Sequence, residues 1–245
     1  MPIADVLLLS NVFFAFGQSN IAGKVIVAML MAGSVIVWSV MLTKHSQLRD
    51  AYLSTQRFIK AYRKESHPAG LYLKRQTFKL SPLSRIYVSC CEELGSNLEA
   101  AGSNPDDLLL GAVGEDRLRL GDRQLSAVRG VIERELADEA LALDQYMGLL
   151  ATATTTAPFL GLLGTVWGVM DAFGGMAVKG SALLSEVAPG ISGALITTVI
   201  GLVVALPSAI GYNFLSERIR KINVISHNFA QELVNDVECH YAVNQ

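Results

Sequence analysis

Thr154, Thr165 and Thr198 carry hydroxyl groups in stretches otherwise made of apolar and small residues. A threonine hydroxyl does not titrate at neutral pH, but it donates one hydrogen bond and accepts two, so it can hold water or a carboxyl group where little else is polar. Thr154 and Thr165 are 11 residues apart, about three helical turns, and so share one helix face. Such a stripe can line a narrow wet path. The plainer reading is packing, because a threonine in a membrane helix can bond its own backbone four residues back and need no ligand. Pro158 and Pro207 lack the N–H groups that would bond the carbonyls of Thr154 and Val203, and a freed carbonyl in hydrocarbon requires a partner or water. A kinked packing helix and a polar pathway both meet that requirement, and the local sequence leaves both open.

Small residues accompany the hydroxyls. Gly161, Gly164 and Gly168 punctuate one stretch, and Gly193, Thr197 and Gly201 recur every four residues in the next, a spacing that lets helix backbones approach closely. What is missing matters as much. Neither stretch contains Asp, Glu, Lys, Arg or His, and a proton relay through a membrane normally needs such a group. If this chain moves protons, the titrating group comes from another chain. Asp171, Lys179 and Glu186 border the stretches as solvated charges, and Glu186 shortly before Pro189 suits a helix start.

The elements that carry these residues follow from where charge is absent. Nineteen uncharged residues lie between Lys24 and Lys44, 26 between Asp144 and Asp171, and 30 between Glu186 and Glu217. At 1.5 Å per residue the shortest spans roughly 28 Å, close to the ~30 Å hydrocarbon core, so the chain is read as an all-α protein with three transmembrane helices. Charged residues make up 17% of the chain, against about 25% in soluble domains, which argues against a soluble enzyme. The net charge of −2 lacks the basic excess of a nucleic-acid binder.

Of the 20 lysines and arginines, 18 fall in residues 44–144 and 217–245. Basic residues near spans stay on the cytoplasmic side, which places the amino terminus outside and the carboxyl terminus in the cytoplasm of a bacterial inner-membrane protein. The resulting division is an amphipathic periplasmic segment at 1–20, first span 21–44, cytoplasmic helical domain 45–144, second span 145–172, periplasmic connector 173–186, third span 187–216 and cytoplasmic helix 217–245. Ile3 to Phe16 is too short to cross and lacks the basic start and cleavage site of a leader. Cys90, Cys91 and Cys239 fall in regions assigned to the reducing cytoplasm, and the four histidines show no metal-ligand spacing, so no disulfide, metal or cofactor is expected.

Beyond the spans the helical pattern continues. Leu48, Tyr52, Phe58, Ile59 and Tyr62 extend the first helix until His67-Pro68-Ala69-Gly70 breaks it, and Ser81-Pro82 marks a turn before helical sequence at 83–99. Ser103 to Asp107 reads as a helix start. Leu118, Leu125, Val128, Ile132, Leu136 and Leu143 form a stripe leading directly into the second span. Leu215, Ile219, Ile222, Ile225, Phe229, Leu233 and Val237 form another past the third. These stripes predict a cytoplasmic bundle into which the second and third spans extend.

The stretches Ala157-Pro-Phe-Leu-Gly-Leu-Leu-Gly-Thr-Val-Trp-Gly-Val-Met170 and Val187-Ala-Pro-Gly-Ile-Ser-Gly-Ala-Leu-Ile-Thr-Thr-Val-Ile-Gly-Leu202, with Ala205-Leu-Pro-Ser208 and Tyr212-Asn213, resemble the ExbB/TolQ/MotA family of proton-driven motor subunits, most closely its ExbB/TolQ branch. The resemblance implies a homopentamer around a pore that holds two single-span helices of an ExbD- or TolR-like partner, whose membrane aspartate carries the proton. It further implies that Thr165 and Thr198 face that carboxyl, and that the work passes to a TonB- or TolA-like envelope-spanning protein. In one respect the chain departs from the pattern: ExbB and TolQ proteins typically carry a glutamate where this chain has Gly193. MotA-type stators lack it too, but have four spans.

The expected function is an inner-membrane proton-conducting motor subunit, with a non-conducting scaffold for partner helices or a divergent surface-motility motor subunit as alternatives. An enzyme is not expected, since the large loop shows no nucleophile elbow, phosphate loop or metal cluster.

Overall fold

A computed structural model describes residues 17, 20–99, 120–179 and 184–241. The expected amphipathic segment at 1–20 (Gly17 and Asn20 apart), the helix start at Ser103 to Asp107, Leu118 and the middle of the 173–186 connector lie outside the described residues. Six helices follow in order: α1 (Ile21–Tyr62), α2 (Gly70–Leu73), α3 (Pro82–Glu99), α4 (Asp122–Asp144), α5 (Met147–Lys179) and α6 (Leu184–Tyr241). No strand of more than an isolated bridge occurs among the described residues. Three stretches are long and apolar enough to cross a membrane, within α1, α5 and α6. The chain divides into two compact units, residues 1–43 with 146–215 and residues 44–145 with 216–245.

In the first unit, contacts at the helix ends fix an alternating course. The Asn20 side chain caps α1 by accepting from the Gly23 N–H at 2.7 Å. Its amide donates to Asp171 of α5 at 3.4 Å. Ala172 sits where a side chain on Gly190 of α6 would come within 3.2 Å. At the opposite ends, Gly211 of α6 lies against Met41 of α1 and Leu150 of α5. Each helix covers about 20 residues between these levels, roughly 30 Å, which matches the hydrocarbon thickness. Between them Ile26 and Leu30 of α1 pack with Ala157 of α5 and Val204 and Ala205 of α6. Many large apolar side chains remain outward, Trp38, Phe159, Trp167, Leu202 and Leu206 among them, as a lipid-facing or subunit-facing surface requires.

The second unit has a core of its own. The stripes expected from sequence bury in large part: Phe58 and Tyr62 of α1, Val128, Ile132 and Leu136 of α4, and Phe229, Leu233 and Val237 of α6 share one cluster, while Tyr52 of the first stripe stays exposed. Pro82 opens α3, a position where its missing N–H leaves nothing unpaired, and the helix adds Leu83, Ile86, Tyr87, Cys90, Cys91 and Leu94. The Phe58 ring meets Phe78, Tyr87 and Phe229 edge-on at 5.3–5.6 Å, a favoured aromatic geometry. The Tyr87 hydroxyl donates to the Pro68 carbonyl at 2.7 Å, tying the 63–69 turn to α3.

One expectation is corrected. The stripe in α4 does not run directly into the second span: α4 ends at Asp144, Tyr146 adopts a left-handed φ of 66°, and α5 begins at Met147. The cause is long-range. The buried Lys44 ammonium donates to the carbonyls of Leu143 at 3.1 Å and Ala142 at 3.3 Å, satisfying the end of α4 so that the helix can stop there. Likewise α6 begins at Leu184 and continues through Pro189, so the start lies a little before the Glu186–Pro189 signal.

Glu139 on α4 is only 6% exposed, and its carboxylate pairs with Arg85 of α3 at 2.8 Å. Burial raises its pKa above the usual carboxylate range, Arg85 opposes that rise, and Glu135 and Asp138 add to it. A carboxylate whose folded pKa is raised weakens the fold once ionised, so its contribution improves as pH falls through that raised value. Arg85→Ala removes the compensating charge. Because the Arg85 side chain is 63% exposed and solvent screens the pair, the expected loss is about 1 kcal/mol at neutral pH. Thermal unfolding at pH 7.5 and at pH 4 checks this: the deficit should shrink at the lower pH, where the carboxyl is protonated.

Candidate functional site

The closest approach of α5 to α6 is built from absent side chains. A Cβ on Gly161 would fall 2.9 Å from the Thr197 carbonyl oxygen and 3.0 Å from the Thr198 Cα. On Gly201 it would fall 2.6 Å from the Ala157 carbonyl oxygen and 3.1 Å from the Gly161 Cα. Gly164 faces the Thr197 side chain and Gly168 faces Ala194, at 2.5 and 2.6 Å by the same measure. Distances below 3 Å leave no room for a methyl group, so the two backbones touch along the Gly161–Gly168 and Ala194–Gly201 faces. Gly193 is buried one residue before Ala194. Pro158 and Pro207 sit half-buried in helices that run on past them, and the buried Ser208 hydroxyl donates to the Val204 carbonyl at 2.7 Å, one residue from the carbonyl that Pro207 frees.

That approach brings three hydroxyls together. Thr165 and Thr198 share a short hydrogen bond across the two helices, and Thr197 lies 3.4 Å from the Thr165 hydroxyl. Two backbone carbonyls face the same point. The Gly161 oxygen is 3.0 Å from the Thr197 hydroxyl, 3.1 Å from that of Thr198 and 3.3 Å from that of Thr165. The Ala194 oxygen is 2.7 Å from Thr197 and 3.1 Å from Thr165. Thr197 has no exposed surface, whereas Thr165 and Thr198 are half-buried and keep one side open.

Of the threonines named from sequence, Thr165 and Thr198 are therefore united, while Thr154 stands apart. Eleven residues put Thr154 about 16 Å along the axis from Thr165, and its hydroxyl donates to the Leu150 carbonyl of its own helix at 2.9 Å. Thr152 does the same toward Gly148 at 2.8 Å. The residue that sequence reading passed over is Thr197, taken only as a small member of the Gly193–Gly201 row. The available signal was the Thr197-Thr198 pair, since adjacent positions on a helix differ by 100° and one of the two must turn toward the neighbouring backbone.

Chemically the junction has no acid, base or nucleophile. It is a set of neutral donors and acceptors held at a close helix contact, open on one side, and able to hydrogen-bond water or a carboxyl group. No group of three or more potential metal ligands occurs among the described residues.

Fold and junction together define an all-α, multi-pass membrane protein whose spans meet through glycines and hydroxyls. Residues 104–227 match the model of the MotA/TolQ/ExbB proton channel family. The chain is 29% identical over 225 residues to a Tol-Pal system protein TolQ of Pseudomonas aeruginosa, covering 91% of this chain and 90% of that one. It is 30% identical over 208 residues to a biopolymer transport protein ExbB of Pseudomonas putida, covering 83% of this chain and 56% of that one. With an ExbB of Xanthomonas campestris the identity is 36% over 154 residues, covering 62% and 56%. The chain belongs to the MotA/TolQ/ExbB proton channel family.

Proposed function

We propose that this chain forms the wall of a proton-driven motor in the bacterial inner membrane. In this reading it assembles as a homopentamer, with the 45–144 domain and carboxyl-terminal helix in the cytoplasm, around two single-span helices of an ExbD- or TolR-like partner. The partner's membrane aspartate carries the proton, and Thr165 and Thr198 hydrogen-bond its carboxyl or the waters on it. Protonation neutralises that carboxyl and removes most of its desolvation penalty, so its helix moves past the hydroxyls more easily. A potential of 100 mV supplies about 2.3 kcal/mol per charge moved, enough to bias each step. The work passes to a TonB- or TolA-like protein that spans the envelope. No covalent chemistry is assigned to the chain itself.

The carrying observation is the Thr165–Thr198 bond: two hydroxyls from different helices meet, half-open, in stretches that hold no ionisable side chain. Family membership supports proton coupling, and the basic residues at 44–144 and 217–245 support the orientation. The test is affinity purification of the full chain from its native host, followed by reconstitution in vesicles with a pH-sensitive dye. Uncoupler-independent proton flux is expected from the assembly that contains a co-purified single-span protein, and none from this chain alone. A preparation that holds such a companion yet conducts at no pH would support the scaffold alternative instead.

A further inference from the structure

Three hydroxyl protons at the junction compete for two carbonyl oxygens. Each oxygen already accepts a helical N–H, Gly161 from Thr165 and Ala194 from Thr198, and so keeps one free lone pair. Thr197 has no exposed surface, and its proton goes to one of the two, at 2.7 Å to Ala194 or 3.0 Å to Gly161, both nearer than the Thr165 hydroxyl at 3.4 Å. One lone pair is then left for Thr165 and Thr198 together. If Thr197 takes the Ala194 oxygen, Thr198 donates to Gly161 at 3.1 Å or Thr165 does at 3.3 Å; if it takes the Gly161 oxygen, Thr165 donates to Ala194 at 3.1 Å. In either arrangement one proton of the half-open pair has no backbone acceptor and rests on the neighbouring hydroxyl.

We propose that Thr197 is a positioning residue that keeps one hydroxyl proton of the Thr165/Thr198 pair without a backbone acceptor, so that the pair can turn it outward as a hydrogen bond to an ionised carboxylate and turn it back to the neighbouring hydroxyl when that group is protonated. The inference rests on the reading that a companion chain brings a carboxyl to this open side. Without the Thr197 hydroxyl the two carbonyls suffice for both remaining protons, and turning one outward then forfeits a carbonyl bond. The trio thus lets the wall serve both charge states of one acid.

Thr197→Val keeps the shape and removes the hydroxyl; Thr197→Ser keeps the hydroxyl. A hydrogen bond to the charged form of an acid lowers its pKa, so weakening that bond raises it. In vesicles holding the natively purified assembly, the pH dependence of proton flux should move upward by about half a unit to one unit in Thr197→Val and return toward wild type in Thr197→Ser. A reduced flux with an unmoved pH profile would mean a purely packing role and overturn the proposal. A second measurement needs no conduction: unfolding of the full chain in detergent for Thr197→Val, Thr198→Val and the double variant. Shared acceptors predict effects on the unfolding constant that depart from additivity by about threefold or more, and additive effects would overturn the competition. Absence of flux in the wild type would sink the functional reading, and the cycle would still decide this one.

Discussion

Replacing Thr165 and Thr198 together by valine is expected to abolish proton-driven activity, by more than about a hundredfold, while the chain still inserts and assembles. Valine matches threonine in shape, so the helix contact around Gly161, Gly164 and Gly201 should persist. What disappears is every polar atom on the open side of the junction, since Thr197 is fully buried. An ionised carboxyl passing that point would then face only apolar surface, and each lost hydrogen bond to a charged group is worth about 1.5–3 kcal/mol. One such loss, together with a neutral bond worth about 1 kcal/mol from the other hydroxyl, corresponds to a factor of about a hundred or more in rate. Flux in vesicles measures the activity and size-exclusion chromatography the assembly. Normal flux from an assembled double variant would remove the hydroxyls from the mechanism.

Gly201→Val acts on the other half of the site. Its Cβ would fall 2.6 Å from the Ala157 carbonyl oxygen and 3.3 Å from the Gly161 nitrogen, which are backbone atoms without a rotamer to change. The helices must separate, and overpacking of this kind costs about 3 kcal/mol or more where nothing can yield. Separation also pulls Thr165 from Thr198, so stability and activity are expected to fall together, with little assembled protein recovered from membranes. Gly33→Val is the control, because a Cβ there meets nothing within 4 Å. An assembled, heat-stable Gly201→Val protein would contradict the close approach.

The fold was legible wherever a pattern was local. Intervals without charge located the spans, and the recurrence of Leu215, Ile219, Ile222, Ile225, Phe229, Leu233 and Val237 every three or four residues announced the long run of α6, all of them buried except Ile225, which is partly so. The break at Gln145 and Tyr146 was not legible, because it depends on Lys44, about a hundred residues earlier, satisfying carbonyls that an isolated helix would have bonded itself. The aromatic cluster around Phe58 was hidden for the same reason: Phe78, Tyr87 and Phe229 reach it from separate segments.

The site divides in the same way. Glycine spacing in α5 and α6 announced a tight contact, and the structure shows Gly161, Gly164, Gly168 and Gly201 at it. Which hydroxyls meet was a different matter, since sharing a face along α5 put Thr154 with Thr165 while the actual partners of Thr165 belong to α6. Periodicity ranks residues within one helix and says nothing about the register between two. Only the resemblance pointed to Thr165 and Thr198 together, and it passed over Thr197.

The three cysteines differ in a way that serves the experimenter. Cys90 and Cys91 are buried in the aromatic core, where loss of hydration pushes the Cys91 thiol up to about 12 and Cys90 well above its ordinary value. Alkylating reagents attack the thiolate, so both are protected twice, by inaccessibility and by protonation. Cys239 is exposed near the end of α6. The unaltered sequence thus carries a single attachment point for a fluorophore or spin label, and distances between copies of that label would report the symmetry of the assembly without any engineered substitution.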